Sequence, residues 1–235
     1  MKEDIRKTIL DLGADVCGFA SVTRFTHAPK GFHPCDSYRD CKSVIVIGIA
    51  LPKGVYEVKP DLIYGHFNDM TCQNVDRIVL MATKLIEDVS GGIAVPMPCD
   101  GPYEYWDSEK MEGRGLISMR HAAVNAGIGT LGKNTLLMNA KYGNRLIVGA
   151  ILTNLELQSD EYAASSCLEG CNLCVKSCPV QALDGESVIQ KLCRNNTFGT
   201  TERGFDSVVC NKCRSVCPMR FGERYQMKTG EENET

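Results

Sequence analysis

Eight of the thirteen cysteines in this 235-residue chain fall into two runs whose spacing suits iron–sulfur chemistry. The first run is Cys167, Cys171, Cys174 and Cys178, closed by Pro179; the second is Cys193, Cys210, Cys213 and Cys217, closed by Pro218. Segments 171–179 and 210–218 form an internal repeat with a period of 39 residues. A four-iron cluster needs four thiolates around one small volume. A Cys-x2-Cys turn supplies two of them, and the cysteine before proline points to the other cluster of a pair. The pattern therefore predicts two [4Fe–4S] clusters with crossed ligation. Cys167, Cys171, Cys174 and Cys217 would hold the first; Cys193, Cys210, Cys213 and Cys178 would hold the second. A disulfide framework suits short secreted chains, whereas this N-terminus reads as an amphipathic helix and not as a signal peptide. Zinc also uses Cys-x2-Cys pairs, but it does not explain a Cys-Pro closing both runs at the same offset. Two departures touch the first ligand of each set. The first gap is Cys-x3-Cys, and Cys193 lies 17 residues before Cys210, so the second run carries an inserted loop.

Two other stretches have residue types that do chemistry. Asp100, Tyr103, Glu104, Tyr105, Trp106, Asp107, Glu109 and Glu112 crowd one segment. They read equally as a solvated loop with aromatic anchors and as an active-site loop carrying a proton donor. Residues 127–134, Gly-Ile-Gly-Thr-Leu-Gly-Lys-Asn, match a dinucleotide fingerprint and most of a P-loop. Both motifs need a strand before the loop and a helix after it, and here the order is inverted. Gly127 reads as the residue ending a helix. Gly129 and Gly132, with Lys133 and Asn134, point to close backbone approach to a ligand or to the cysteine module. Cys17, Cys35, Cys41, Cys72 and Cys99 read as small buried apolar residues, with Cys99 the best placed of them as a functional thiol. His27, His33 and His66 are scattered, and His121 falls on a central helix as a structural histidine.

These groups need a scaffold. Ile5, Ile9, Leu10 and Leu12 predict a helix stopped by Gly13. Strands are predicted over 16–20, over the continuous apolar run 43–50, and over 93–97. Residues 51–67 read as a loop, 74–89 as a helix ended by Ser90-Gly91-Gly92, 98–115 as irregular and 117–126 as helical. Residues 135–139 and 145–153 read as strands paired with each other. The class is α+β. Three regions follow: an α+β domain over 1–162, a double-cluster module over 163–225, and a disordered acidic tail over 226–235.

Composition narrows the partners. Hydrophobic residues make up 43% of the chain, enough for a core. The net charge of −3 and the nine basic and nine acidic residues after position 162 give no electrostatic case for nucleic acid, and none is expected as a partner. No stretch approaches about 18 consecutive apolar residues, so no membrane partner is expected. So many free thiols imply a reducing cytoplasmic setting in an organism living with little oxygen.

Residues 121–139, His-Ala-Ala-Val-Asn-Ala-Gly-Ile-Gly-Thr-Leu-Gly-Lys-Asn-Thr-Leu-Leu-Met-Asn, resemble the central motif of the epoxyqueuosine reductase family. Gly-Ala-Ile-Leu-Thr-Asn-Leu-Glu-Leu (149–157), the cysteine module, and the segments 12–20 and 42–46 are similar as well. The resemblance implies a nitroreductase-like catalytic domain, related to that of reductive dehalogenases. It also implies a ferredoxin-like module with two [4Fe–4S] clusters that feed a corrinoid, cobalamin. It places the corrinoid at Gly129, Gly132, Lys133 and Asn134. An acidic proton donor of the family, in an Asp-x-x-Pro segment before the central helix, matches Gly113 here without gaps. The family continues past the clusters into helical repeats that grip tRNA, whereas this chain runs 18 residues beyond Cys217. The expectation is a short paralogue that does not act on tRNA. It would pass electrons from a low-potential donor such as ferredoxin or flavodoxin to a corrinoid or small-molecule substrate. The alternative is a non-catalytic electron-transfer or corrinoid-binding protein serving a partner enzyme.

Overall fold

The computed structural model describes residues 1–59 and 61–223, so the acidic tail assigned to 226–235 lies outside the described residues. Helix α1 (Lys2–Asp11) buries Ile5 and Ile9 and leads through Gly13 into strand β1 (Val16–Ser21). A one-turn helix α2 (Pro34–Ser37) precedes β2 (Ser43–Ala50), which has the bounds its apolar run predicts. Next come the long helix α3 (Leu62–Ser90), β3 (Ala94–Met97), the hairpin β4 (Tyr105–Asp107) and β5 (Glu112–Arg114), and α4 (Met119–Asn125). A small hairpin of β6 (Thr130–Leu131) and β7 (Leu137–Met138) leads to β8 (Leu146–Thr153).

The main sheet has the order β1-β2-β8-β3, with every pair antiparallel. Side chains alternate across a strand, and here both faces are covered. Ile45 and Ile47 of β2 share a core with Ile9, Val75 and Val79 of α1 and α3. Val44 and Val46 share the opposite core with Ala122 and Ala126 of α4. All four β2 side chains have no solvent exposure. Each contributes about 1.5–3 kcal/mol of burial, which is why the run has no polar alternation.

Three expectations are corrected. First, α3 begins twelve residues before the predicted helix at Asn74. Its first turns bury Tyr64 and Gly65 away from the sheet: the Tyr64 ring meets Tyr56 at 5.7 Å, and a Cβ at Gly65 would lie 3.1 Å from Val208. The apolar stripe therefore changes partner along the helix, and one helical period does not run through it. Second, residues 98–115 contain the β4–β5 hairpin. Third, β7 pairs with β6, whereas β8 pairs with β2 and β3.

In the cysteine-rich part, α5 (Leu173–Lys176) and α7 (Lys212–Ser215) sit one 39-residue repeat apart. Asn172 (φ −131°, ψ 22°) and Asn211 (φ −128°, ψ 20°) enter them with nearly the same backbone. The inserted loop is α6 (Gln190–Thr197) followed by the hairpin β9 (Phe198–Thr200) and β10 (Asp206–Val208). Among the described residues no helix is long and apolar enough to cross a membrane.

Candidate functional site

The eight cysteines fall into two groups in space. Cys167, Cys171, Cys174 and Cys217 line a tight cavity of about 20 Å³, together with Gly132, Lys133 and Asn134. Cys178, Cys193, Cys210 and Cys213 line one wall of a large cavity of about 960 Å³. Each group mixes the two sequence runs through its Cys-Pro member. All eight thiols are free and partly exposed. Burial pushes the Cys217 thiol up to about 11, with the Cys174, Cys167 and Cys171 thiols adding to the shift. Burial also pushes Cys213 up to about 11, against the lowering influence of Arg214. Among the described residues, no three His, Cys, Asp or Glu side chains converge as ligands of a single metal ion.

The loop 127–134 clamps the cysteine module. The Lys133 ammonium donates to the Cys171 carbonyl at 2.9 Å and to the Asn172 side-chain oxygen at 3.0 Å. The Asn134 amide donates to the Cys213 carbonyl at 3.2 Å. Nearby, Asn144 and Arg214 exchange hydrogen bonds through their side chains and carbonyls. Burial would lower the Arg214 pKa, but Tyr64, Tyr56 and Cys213 reverse the shift and raise it. The glycines serve backbone packing. A Cβ at Gly127 would lie 2.1 Å from the Glu161 carbonyl oxygen, and one at Gly129 would lie 2.1 Å from that of Met138. Gly129 lines neither cavity. Gly132 and Lys133 face the first cysteine group, and of the four residues read as a ligand cradle only Asn134 also reaches the large cavity.

The large cavity has a floor of Met97, Leu137, Leu146 and Val148. α3 contributes Tyr64, Asn68, Asp69 and Cys72; α4 contributes Arg120 and His121; the turn after β3 contributes Cys99, Asp100 and Tyr103. Of the crowded acidic and aromatic stretch, then, only Asp100 and Tyr103 line it. The Tyr103 hydroxyl donates to Asp100 Oδ1 at 3.2 Å, and its ring stacks on Trp106 at 5.9 Å. Arg194 of α6 lies over both rings, at 5.3 and 5.2 Å, while Gln190 brackets the Gly113 amide and carbonyl. The inserted helix thus carries the Cys193 ligand candidate and also anchors the β4–β5 hairpin. Gly113 carries no acid, and Asp100 is the carboxyl brought to the cavity from this stretch. Ser118 and His121 Nδ1 share a hydrogen bond of 2.7 Å. Burial, then the Arg120 charge, lowers the His121 pKa, so the ring is neutral at pH 7. Tyr64, Asp69, Cys72 and Arg120 carry no sequence motif. The fold brings all four to the lining of the large cavity.

Comparison with known proteins gives no matching family model. The chain is 27% identical over 256 residues to an epoxyqueuosine reductase of Lactococcus garvieae (strain Lg2), covering 94% of this chain and 70% of the relative. Its fold resembles an epoxyqueuosine reductase solved with an epoxyqueuosine-modified tRNA-Tyr stem loop, with a TM-score of 0.63, 17% identity and 93% of this chain covered. It also resembles a reductive dehalogenase described as B12-dependent, with a TM-score of 0.68, 16% identity and 97% of this chain covered. The chain spans 65% of the first of these solved chains and 33% of the second. The resemblance read from residues 121–139 and 149–157 is borne out, and the mixed helix–strand fold with it. The expectation of no nucleic-acid partner is overturned, because the relative is an epoxyqueuosine reductase and one structural neighbour was solved with a tRNA stem loop. Net charge misled because it averages the whole surface. Arg24, Arg114, Arg120, Arg194, Lys212 and Arg214 line the large cavity, against the carboxylates of Asp69 and Asp100.

Proposed function

We propose that this chain is an iron–sulfur reductase of the epoxyqueuosine reductase type, acting on a modified nucleoside in tRNA. The observation that carries the proposal is the 960 Å³ cavity lined by four cysteines together with Asp100, Tyr103 and Tyr64. Its volume is at the upper end of the range for cofactor and substrate clefts, about 300–1,000 Å³. The domain boundary read at 162/163 is retained, with a nitroreductase-like domain before it and a two-cluster ferredoxin-like module after it.

The donor sets fit the implied groups. Eight thiols in two quartets, each closed by a Cys-Pro from the other run, suit two four-iron clusters. They suit zinc poorly, because one ion needs sulfurs converging to about 2.3 Å. The large cavity is lined by apolar side chains together with amides and guanidiniums, a mixture that suits a corrinoid. Cys167, Cys171, Cys174 and Cys217 would hold one cluster and Cys178, Cys193, Cys210 and Cys213 the other, while Asn134 would sit against the corrinoid. When bound, these groups supply single electrons at low potential and a reducible cobalt.

The chain's own residues do the rest. Lys133 and Asn134 fix the cysteine module against the cavity. The Asp100 carboxyl, held at Oδ1 by Tyr103, delivers a proton from Oδ2 to the reduced substrate. The cavity's arginines hold substrate phosphate by charge-assisted hydrogen bonds. A non-catalytic carrier needs no such large, acid-bearing cavity.

The test is anaerobic purification with iron, sulfide and cobalamin analysis. It is followed by single-turnover reduction of an epoxyqueuosine-bearing tRNA stem loop with a low-potential donor. About eight iron and eight sulfide per chain, with conversion to queuosine, are expected. Stoichiometric zinc without labile sulfide, or full cluster loading without conversion, would sink the reading.

A further inference from the structure

We propose that Cys72 and Cys99 form a redox-active dithiol on the wall of the large cavity, closing to a disulfide by exchange with a small aliphatic disulfide. This goes beyond the reductase reading and does not rest on it. Cys72 lies on α3, and Asp76, one turn further on, accepts a hydrogen bond from the Cys99 amide at 2.8 Å. That bond pins the turn after β3 to α3. The Cys99 sulfur consequently lies 3.6 Å from the Cys72 carbonyl oxygen. Both thiols are partly exposed and both line the 960 Å³ cavity, so a small oxidant reaches them. The pair Cys35 and Cys41 makes a similar contact, but Cys41 is 4% exposed and neither residue lines the cavity.

The two thiols have unequal roles. The adjacent Cys99 thiol lowers the Cys72 pKa against the raising effect of burial. The influence of Cys72, then burial, raises the Cys99 pKa. Thiolate character selects the attacking sulfur. Cys72 therefore attacks the small disulfide, forming a mixed disulfide and expelling one small thiolate. Cys99 gives up its proton and attacks the Cys72 sulfur, forming the protein disulfide and expelling the second. Two electrons pass from the cysteine pair to the small disulfide, and the two protons end on the small thiols. The product ties α3 to the turn that carries Asp100.

The sequence makes the test clean. Trypsin yields fragments 54–77 and 85–110, each holding one cysteine. Anaerobically prepared protein is exposed to glutathione disulfide, alkylated with iodoacetamide, digested and weighed. The expected result is a 54–77/85–110 linked fragment two hydrogens lighter than the sum, with loss of alkylation at both cysteines. Cys99→Ser should trap glutathione on Cys72, whereas Cys72→Ser should leave Cys99 alkylated. Full alkylation of both cysteines in wild type after oxidant exposure overturns the proposal. Glutathione trapped on Cys99 in Cys72→Ser, with none on Cys72 in Cys99→Ser, overturns the assigned order of attack.

Discussion

Asp100 and Gly129 show how far a single residue could be read. Asp100 stood among eight acidic and aromatic residues with nothing to separate it; the cavity separates it, because it faces the space and is held by Tyr103. Asp100→Asn keeps the shape and removes the carboxyl group. Turnover of the stem loop should fall about 10²–10⁴-fold, with iron and sulfide content unchanged; retained turnover would remove Asp100 from the mechanism. Gly129 went the other way. Its motif suggested a ligand cradle, but the close approach is to the Met138 carbonyl oxygen within the β6–β7 hairpin. Gly129→Val should therefore cost stability, about 1–3 kcal/mol from overpacking, seen as a Tm lowered by several degrees. Loss of cobalamin binding at an unchanged Tm would restore the cradle. The grouping of the eight cysteines into two quartets was legible because their spacing is a local signal. Tyr64, Cys72 and Arg120 were not, because only the folded chain brings them to one space.

At the scale of elements, legibility followed burial. β2 was read to its last residue because both its faces are covered and its composition is uniform. The first half of α3 was missed because its partners are Tyr56 and β10, not the sheet. The pairing of residues 135–139 with β8 was wrong because β8 is an inner strand already flanked by β2 and β3. One contact ties α1 and β1 to the segment that leads into the cysteine module. Asp160 accepts from Lys2 and Arg6, at 2.7 and 2.8 Å, and from the Phe19 amide at 3.0 Å. Burial alone would raise its pKa; the Lys2 and Arg6 hydrogen bonds reverse this and hold it below its ordinary value of 3.8. A carboxyl with a depressed folded-state pKa contributes stability above its unfolded pKa and loses it as pH falls through the folded value. Wild type should exceed Asp160→Asn by about 1–2 kcal/mol in urea unfolding at pH 7. The difference should shrink below about pH 4. A difference that grows as pH falls from 7 to 3 would contradict the assignment.

Across the whole molecule, the two repeats trade one cysteine each. Cys178 belongs to the first run but lines the large cavity with Cys193, Cys210 and Cys213; Cys217 belongs to the second run but sits with Cys167, Cys171 and Cys174. This exchange joins the halves of the module, and Lys133 and Asn134 then clamp one member of each group to the rest of the chain. Crossed ligation makes a non-additive prediction. If Cys178 serves the cluster of Cys210, then Cys178→Ala should reduce iron from about eight to about four per chain. The double variant Cys178→Ala/Cys210→Ala should lose no more than Cys178→Ala alone, because both residues act on one cluster. Cys178→Ala/Cys174→Ala should lose nearly all, although these two cysteines are only four residues apart. The damaged cluster in Cys178→Ala is the one on the cavity wall, so stem-loop turnover should vanish while about four iron remain. Uncrossed ligation gives the reverse iron pattern: Cys178→Ala/Cys174→Ala would match the single variant, and Cys178→Ala/Cys210→Ala would strip both clusters. Iron and sulfide analysis of these three anaerobically prepared variants therefore decides between the two wirings.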